Sequence, residues 1–292
     1  MTLQFGAHFP NFEIGNDPAG ITAYAQGLEA AGYDYLETYD HVLGVDRNRP
    51  PRGFRGAHDS DDPFHEPFVM FAYLAALTQR LVFSTGSLIL PQRQTALVAK
   101  QAAELAILSG GRFRLGVGIG WNPSEYRALN EDFTTRGRRM EEQVALLRQL
   151  WAEPTLNFEG RFHRVPYAGI NPRPAQPIPI WMGGGADPVI DRIGRLADGW
   201  IIPTYEDAER MKQQIPRIRE IAEAAGRDSS TMGFSVVIRT SDGTRTAVER
   251  ALEWEEAGVT HVAVGTAGNN HLSIDRHHET LRGFIEEYHS FC

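Results

Sequence analysis

The regular alternation of strand-like and helix-like segments along the whole chain is what most limits the folds open to it. Eight β-rich stretches can be read, at residues 3–10, 33–39, 81–90, 112–120, 177–182, 199–202, 232–239 and 261–264. Each is followed by a helical pattern, at 17–32, 70–78, 95–108, 135–151, 187–196, 206–225, 246–257 and 273–288. The punctuation agrees. Asp17 and Pro18 suit a cap and first turn, Gly32 suits a left-handed stop, and Asp187-Pro188 repeats the opening signal. Strands separated by helices pair in parallel, which leaves an open doubly wound sheet or a closed barrel. Eight regular units favour the barrel, and no GxGxxG follows the first strand, which removes the usual nucleotide fingerprint of the open sheet. The expectation is an α/β fold, a single (β/α)8 TIM barrel over residues 1–292, a length ordinary for that architecture. The Pro/Gly-rich stretch 43–67 reads as a lid-like insertion, and the hairpin pattern around Glu159-Gly160 as a second insertion.

Composition excludes several function classes. The only cysteine is Cys292, so an internal disulfide is impossible and a cysteine nucleophile is disfavoured. No apolar run approaches the roughly 20 residues of a membrane span, and Met1 to Pro10 alternates like a strand rather than a signal peptide. A cytoplasmic location is the expectation. The formal charge of −8 gives no global attraction for nucleic acid or an anionic membrane. Arg47, Arg49, Arg52 and Arg55 form a local basic cluster, either a solvated loop or a mouth for an anionic tail.

In a barrel of this kind chemistry sits at the C-terminal ends of the strands. Asp40-His41 is the most polar pair there, and a histidine beside a carboxylate can move a proton near neutral pH. The alternative is a pair that merely closes a loop. Thr85-Gly86-Ser87 interrupts an apolar strand, as at a bulge or a close ligand approach. Gly116, Gly118 and Gly120 alternate, so one strand face is read as bare, open to a flat ring or to tight packing. Trp121 follows as a pocket wall or a packed residue. Gly183-Gly184-Gly185 before a helix start at Asp187 is a candidate phosphate site, because free amides and the helix dipole favour an anion. His58 and His65 with Asp59, Asp61 and Asp62, and His271, Asp275, His277 and His278, fit no standard metal spacing.

Several of these segments together resemble the luciferase-like monooxygenase superfamily, in particular its branch that uses the deazaflavin coenzyme F420. The resemblance rests on Tyr39-Asp40-His41-Val42, on Ser84 to Pro91, on Leu108-Ser109-Gly110-Gly111-Arg112 and on Leu115 to Trp121. It continues through Arg136 to Glu142, Ile180 to Gly185 and Ala197 to Trp200. It implies an F420-dependent oxidoreductase acting on a small organic molecule, with His41 and Asp40 catalytic and Asp40 bonded to the ring. It further implies a cis peptide at Gly86-Ser87 behind the ring, with Thr85, Gly118, Gly120 and Trp121 around it. Met182, Gly183, Gly184, Gly185 and Ala186 would hold the phosphate. The alternative is a monooxygenase using reduced FMN from a partner flavin reductase; a flavin-binding protein without turnover is a third reading. Some sugar-phosphate dehydrogenases of the branch carry a glutamate where this chain has Trp121, which argues against that chemistry. A homodimer is conceivable, with Met70, Phe71 and Tyr73 facing a partner helix.

Overall fold

The computed structural model describes residues 3–50, 58–269 and 273–291. Along the chain the first elements are β1 (Gln4–His8), α1 (Asn11–Ile14), α2 (Pro18–Ala30), β2 (Tyr35–Thr38), α3 (Pro67–Ala75), β3 (Val82–Thr85) and β4 (Leu88–Ile89). Then come α4 (Thr95–Leu108), β5 (Phe113–Gly118), α5 (Pro123–Ala128), α6 (Arg136–Ala152), β6 (Leu156–Glu159), β7 (Arg164–Ala168) and β8 (Ile180–Gly183). The last are α7 (Asp187–Leu196), β9 (Gly199–Ile202), α8 (Ala208–Ala224), β10 (Gly233–Arg239), α9 (Thr244–Glu256), β11 (His261–Gly265) and α10 (Ile274–Phe291).

The main sheet runs β3-β2-β1-β11-β10-β9-β8-β5-β4, and a further pairing of β3 with β5 closes it into a ring. Every pairing in that ring is parallel. The closed eight-stranded barrel with outer helices is therefore the fold expected. β6 and β7 form a separate antiparallel hairpin at the position of the second insertion.

The helix signals act as the sequence implies. Asp17 accepts from the amides of Ala19 and Gly20, and Gly32 takes the left-handed conformation with φ +85°. Asp187 differs: Ala186 is the N-cap, with no capping side chain, and Asp187 begins the helix with its carboxylate on Arg217. The third predicted strand also differs. It breaks at a cis Gly86-Ser87 peptide into β3 and β4, and a 3-10 turn takes Leu90–Gln92. The short helices α1 and α5 lie in loops that carry too few apolar positions to show a period.

Side chains fill the barrel. Near the N-terminal end of the strands the Arg114 guanidinium lies 4.7 Å from the Tyr35 ring and 4.2 Å from that of Trp181. Glycines make room for these large rings: a Cβ on Gly6 would meet Tyr35 at 2.3 Å, and one on Gly233 would meet Trp181 at 2.1 Å. Met70 and Phe71 are buried in the core, so the suggestion that they face a partner helix is corrected. On α3 it is Val69 and Tyr73 that are exposed, and the Tyr73 hydroxyl bonds Thr22 on α2. Among the described residues no helix is long and apolar enough to cross a membrane.

Candidate active site

His41 and Asp40 follow β2 directly, but they do not serve each other. The His41 Nδ1 lies 3.4 Å from Glu125 Oε1, and Glu125 is buried in the first turn of α5. The same carboxylate accepts from the amides of Val42, at 2.9 Å, and Leu43, at 3.2 Å. Burial pushes the Glu125 carboxyl up, but His41 and those two amides outweigh it and leave it below its ordinary value. His41 thus has a fixed, charged orienting partner.

Asp40 is committed elsewhere. Its Oδ2 accepts from the Ile89 amide at 2.9 Å and from Arg93 Nε at 3.2 Å, and its Oδ1 accepts from Arg93 Nη2 at 2.7 Å. Arg93 also bonds Glu66 at 2.9 Å. Both carboxylate oxygens of Asp40 already accept from protein donors. Its work is to lash the end of β2 to the strand segment beyond the cis peptide, and this places His41 beside that segment.

The described parts of the 43–67 insertion come over His41. Phe64 lies 4.7 Å from the His41 ring centroid, His58 at 5.4 Å, and Trp121 packs from the β5 side at 5.6 Å. Phe12 stacks on His58 at 5.5 Å, which completes an aromatic wall. Burial lowers the His58 pKa and the nearby His41 adds to this, while Asp62 and Asp59 oppose them. Of the arginine cluster, Arg47 pairs with Asp59 inside the insertion; Arg52 and Arg55 lie outside the described residues, as does His271. His65 bonds the Gly15 carbonyl at 3.0 Å. Among the described residues no group of His, Cys, Asp or Glu could hold a metal ion.

The glycine stripe on β5 is not a bare face. A Cβ on Gly116 would meet the Thr85 carbonyl at 1.9 Å, one on Gly118 would meet the Ser87 hydroxyl at 2.5 Å, and one on Gly120 would meet Ile89 at 2.7 Å. Alternate glycines thus accept alternate residues of the segment that carries the cis peptide. Thr85 adds a 2.6 Å bond to the Gly116 carbonyl. The expectation of a bare platform is corrected: the space belongs to Thr85, Ser87 and Ile89. The Ser87 hydroxyl also lies 3.5 Å from where a Gly183 Cβ would be, so Ser87 stands between β5 and β8.

At β8 the buried Met182 leads into Gly183, half-buried, and Gly184, whose φ of +119° excludes most side chains. The Gly184 carbonyl accepts from Trp200 Nε1 at 2.8 Å and the Gly185 carbonyl from Arg210 at 3.1 Å. Those carbonyls are turned to protein donors, and the helix start at Ala186 has no side-chain cap. Pro188 has no N–H and the Val189 amide bonds the Ala186 carbonyl at 2.7 Å, so in this first turn it is the Asp187 amide that can serve an anion. The residues present therefore fit a phosphate-bearing ring cofactor: a turn without side chains beside Ser87, the cis segment and His41.

Residues 4–287 match the luciferase-like monooxygenase family. The chain belongs to that family. An uncharacterized protein of Mycobacterium tuberculosis is 38% identical over 246 residues, covering 82% of this chain and 83% of its own. An F420-dependent glucose-6-phosphate dehydrogenase of Segniliparus rotundus is 29% identical, over 77% of this chain and 65% of its own. Among solved structures, an F420-dependent secondary alcohol dehydrogenase holding an F420-acetone adduct superposes with a TM-score of 0.78 at 17% identity, over 97% of this chain and 99% of that one. That likeness is one of fold. Glu125, the carboxylate that His41 uses, escaped the sequence reading, although Asn122-Pro123 announces a helix start and an acid in its first turn.

Proposed function

We propose that this luciferase-like chain is an F420-dependent oxidoreductase, transferring hydride between the deazaflavin and a small organic substrate. The observation that carries the reading is His41 at a strand end, oriented by the buried Glu125 and enclosed by Phe64, His58 and Trp121. Relatives named as F420-dependent dehydrogenases support the choice of cofactor. The bound deazaflavin would supply the hydride acceptor or donor. Gly86 and Ser87 would back the ring, with Gly118 and Gly120 acting through the room they give Ser87 and Ile89. Met182, Gly183, Gly184, Gly185 and Ala186 would hold the phosphate.

The chain's own part is proton management and exclusion of water. When an alcohol carbon gives up hydride, its hydroxyl proton must leave, and His41 Nε2 is the free edge of an imidazole whose Nδ1 is fixed on Glu125. In the reverse direction the same nitrogen returns the proton to the new alkoxide oxygen. The aromatic wall and the insertion over it would serve as a lid. Hydrophobic walls also strengthen the His41–Glu125 interaction by lowering the local dielectric.

Titration of F420 fluorescence with the purified chain tests the cofactor, and quenching at micromolar concentration is the expected result. Oxygen uptake dependent on the chain, reduced FMN and a substrate, with no F420 quenching, would instead establish the monooxygenase reading. His41→Ala should abolish most turnover, by about 100-fold or more as for loss of a general acid-base group, while F420 quenching persists. Unchanged turnover in that variant sinks the role given to His41.

A further inference from the structure

We propose that Arg239, with Tyr39 and His8, forms a subsite for a monoanionic carboxylate on the molecule that enters the barrel mouth. Four strand ends meet there in register. Gly265 at the end of β11 pairs with His8 of β1 on one side and with Arg239 of β10 on the other, and His8 pairs in turn with Glu37 of β2. Residues in register on parallel strands of a barrel project to the same face. An imidazole and a guanidinium therefore flank a position that has no side chain.

Tight packing does not explain that glycine. A Cβ on Gly265 would touch Val237 at 3.5 Å and Arg239 at 3.6 Å, which are ordinary contacts, in contrast to the clashes that require Gly116 or Gly233. Arg239 is exposed and makes no salt bridge with a carboxylate among the described residues; its charge reaches the Tyr39 hydroxyl and opposes the rise in pKa that burial causes there. Among the described residues, Arg93 is paired with Asp40 and Glu66, Arg210 with Glu206 and Arg250 with Asp242. His8 is buried, its Nδ1 3.3 Å from Glu37 and its ring centroid 3.9 Å from that of Tyr39. Its Nε2, on the opposite edge of the ring, has no hydrogen-bond partner. A buried polar nitrogen left unpaired is costly and is normally satisfied by something.

The chemistry of this set selects the ligand. A guanidinium presents a planar fork that matches a carboxylate, and the Tyr39 hydroxyl adds a single donor; His8 adds another from Nε2 only as an imidazolium whose Nδ1–H is held by Glu37. A dianion such as phosphate would also face Glu37 in the same layer, so the single charge is favoured. That the bound molecule is the substrate on which His41 acts rests on the proposed oxidoreductase function; the anion site itself does not.

Saturation-transfer NMR on the full chain, with benzoate and benzamide as probes, tests it. Benzoate is expected to bind saturably and at least tenfold more tightly than benzamide. Arg239→Gln should weaken benzoate tenfold or more, Arg239→Lys and Tyr39→Phe less, while F420 quenching by all three variants matches the parent. Equal benzoate affinity in the parent and Arg239→Gln, with unchanged circular dichroism and Tm, overturns the subsite. If Arg239→Gln does not fold, unchanged benzoate binding in both milder variants overturns it instead. Displacement of benzoate by inorganic phosphate at lower concentration overturns the assignment to a carboxylate. Benzoate binding that follows Arg239 without any F420 quenching leaves the subsite standing and removes the redox reading.

Discussion

A histidine next to a carboxylate in sequence need not be paired with it. His41 neighbours Asp40 in the chain, yet its imidazole is oriented by Glu125, 84 positions on (125 − 41), and Asp40 serves Arg93 and the Ile89 amide. The residue type and strand-end position of His41 were legible, because the fold rule puts chemistry there. The partner was not legible, because nothing in a one-dimensional pattern brings α5 against the end of β2. A second histidine carries a measurable consequence. His261, inside the barrel against Trp181, has its pKa lowered to about 3 by burial, with the Arg114 charge adding to it. Its unfolded value is near 6.5, so between pH 6.5 and about 3 the unfolded chain binds one proton more than the native one. Stability therefore falls as pH falls through that window, by at most about 1.4 kcal/mol per pH unit from this residue. Urea midpoints recorded from pH 7 to 4.5 should fall less steeply for His261→Gln than for the parent, and parallel curves would rule out a half-buried His261 held neutral.

At the scale of elements, the most informative contact is between β5 and the broken strand β3–β4. The alternation of Gly116, Gly118 and Gly120 was visible in the sequence, but its meaning was not. An empty strand face can receive a ligand or a neighbouring strand, and only the position of Thr85, Ser87 and Ile89 decides between them. Gly116→Ala is expected to destabilise the fold by about 1–3 kcal/mol or more, since overpacking against backbone allows little relief. Thermal melting checks it, and a Tm equal to the parent's contradicts the packing. Helix beginnings were easier to read. Asp17 lies close to the amides it caps, so the four letters 17–20 carry the whole signal. Asp187 was misplaced by one residue because Arg217, far along the chain on α8, claims its carboxylate.

For the whole molecule, the count of eight alternating units was enough to foresee a closed parallel ring, because the number and order of units are local properties summed along the chain. The pairing that closes the ring is not local. β1 lies between β2 and β11, with Gln4 opposite His261, a separation of 257 residues (261 − 4). On a ribosome, the first strand of this chain waits with one hydrogen-bonding edge unsatisfied until β11 has been made. An unpaired edge of this kind invites association with other chains. Nascent chains stalled before residue 261 should be protease-sensitive and recovered with chaperones, whereas chains released after α10 should be resistant. Protease resistance already present without β11 would mean that the open sheet is stable by itself. The ring that gathers the reactive groups at one rim thus also sets a vulnerable interval in the life of every copy, one that ends when the eighth strand arrives beside the first.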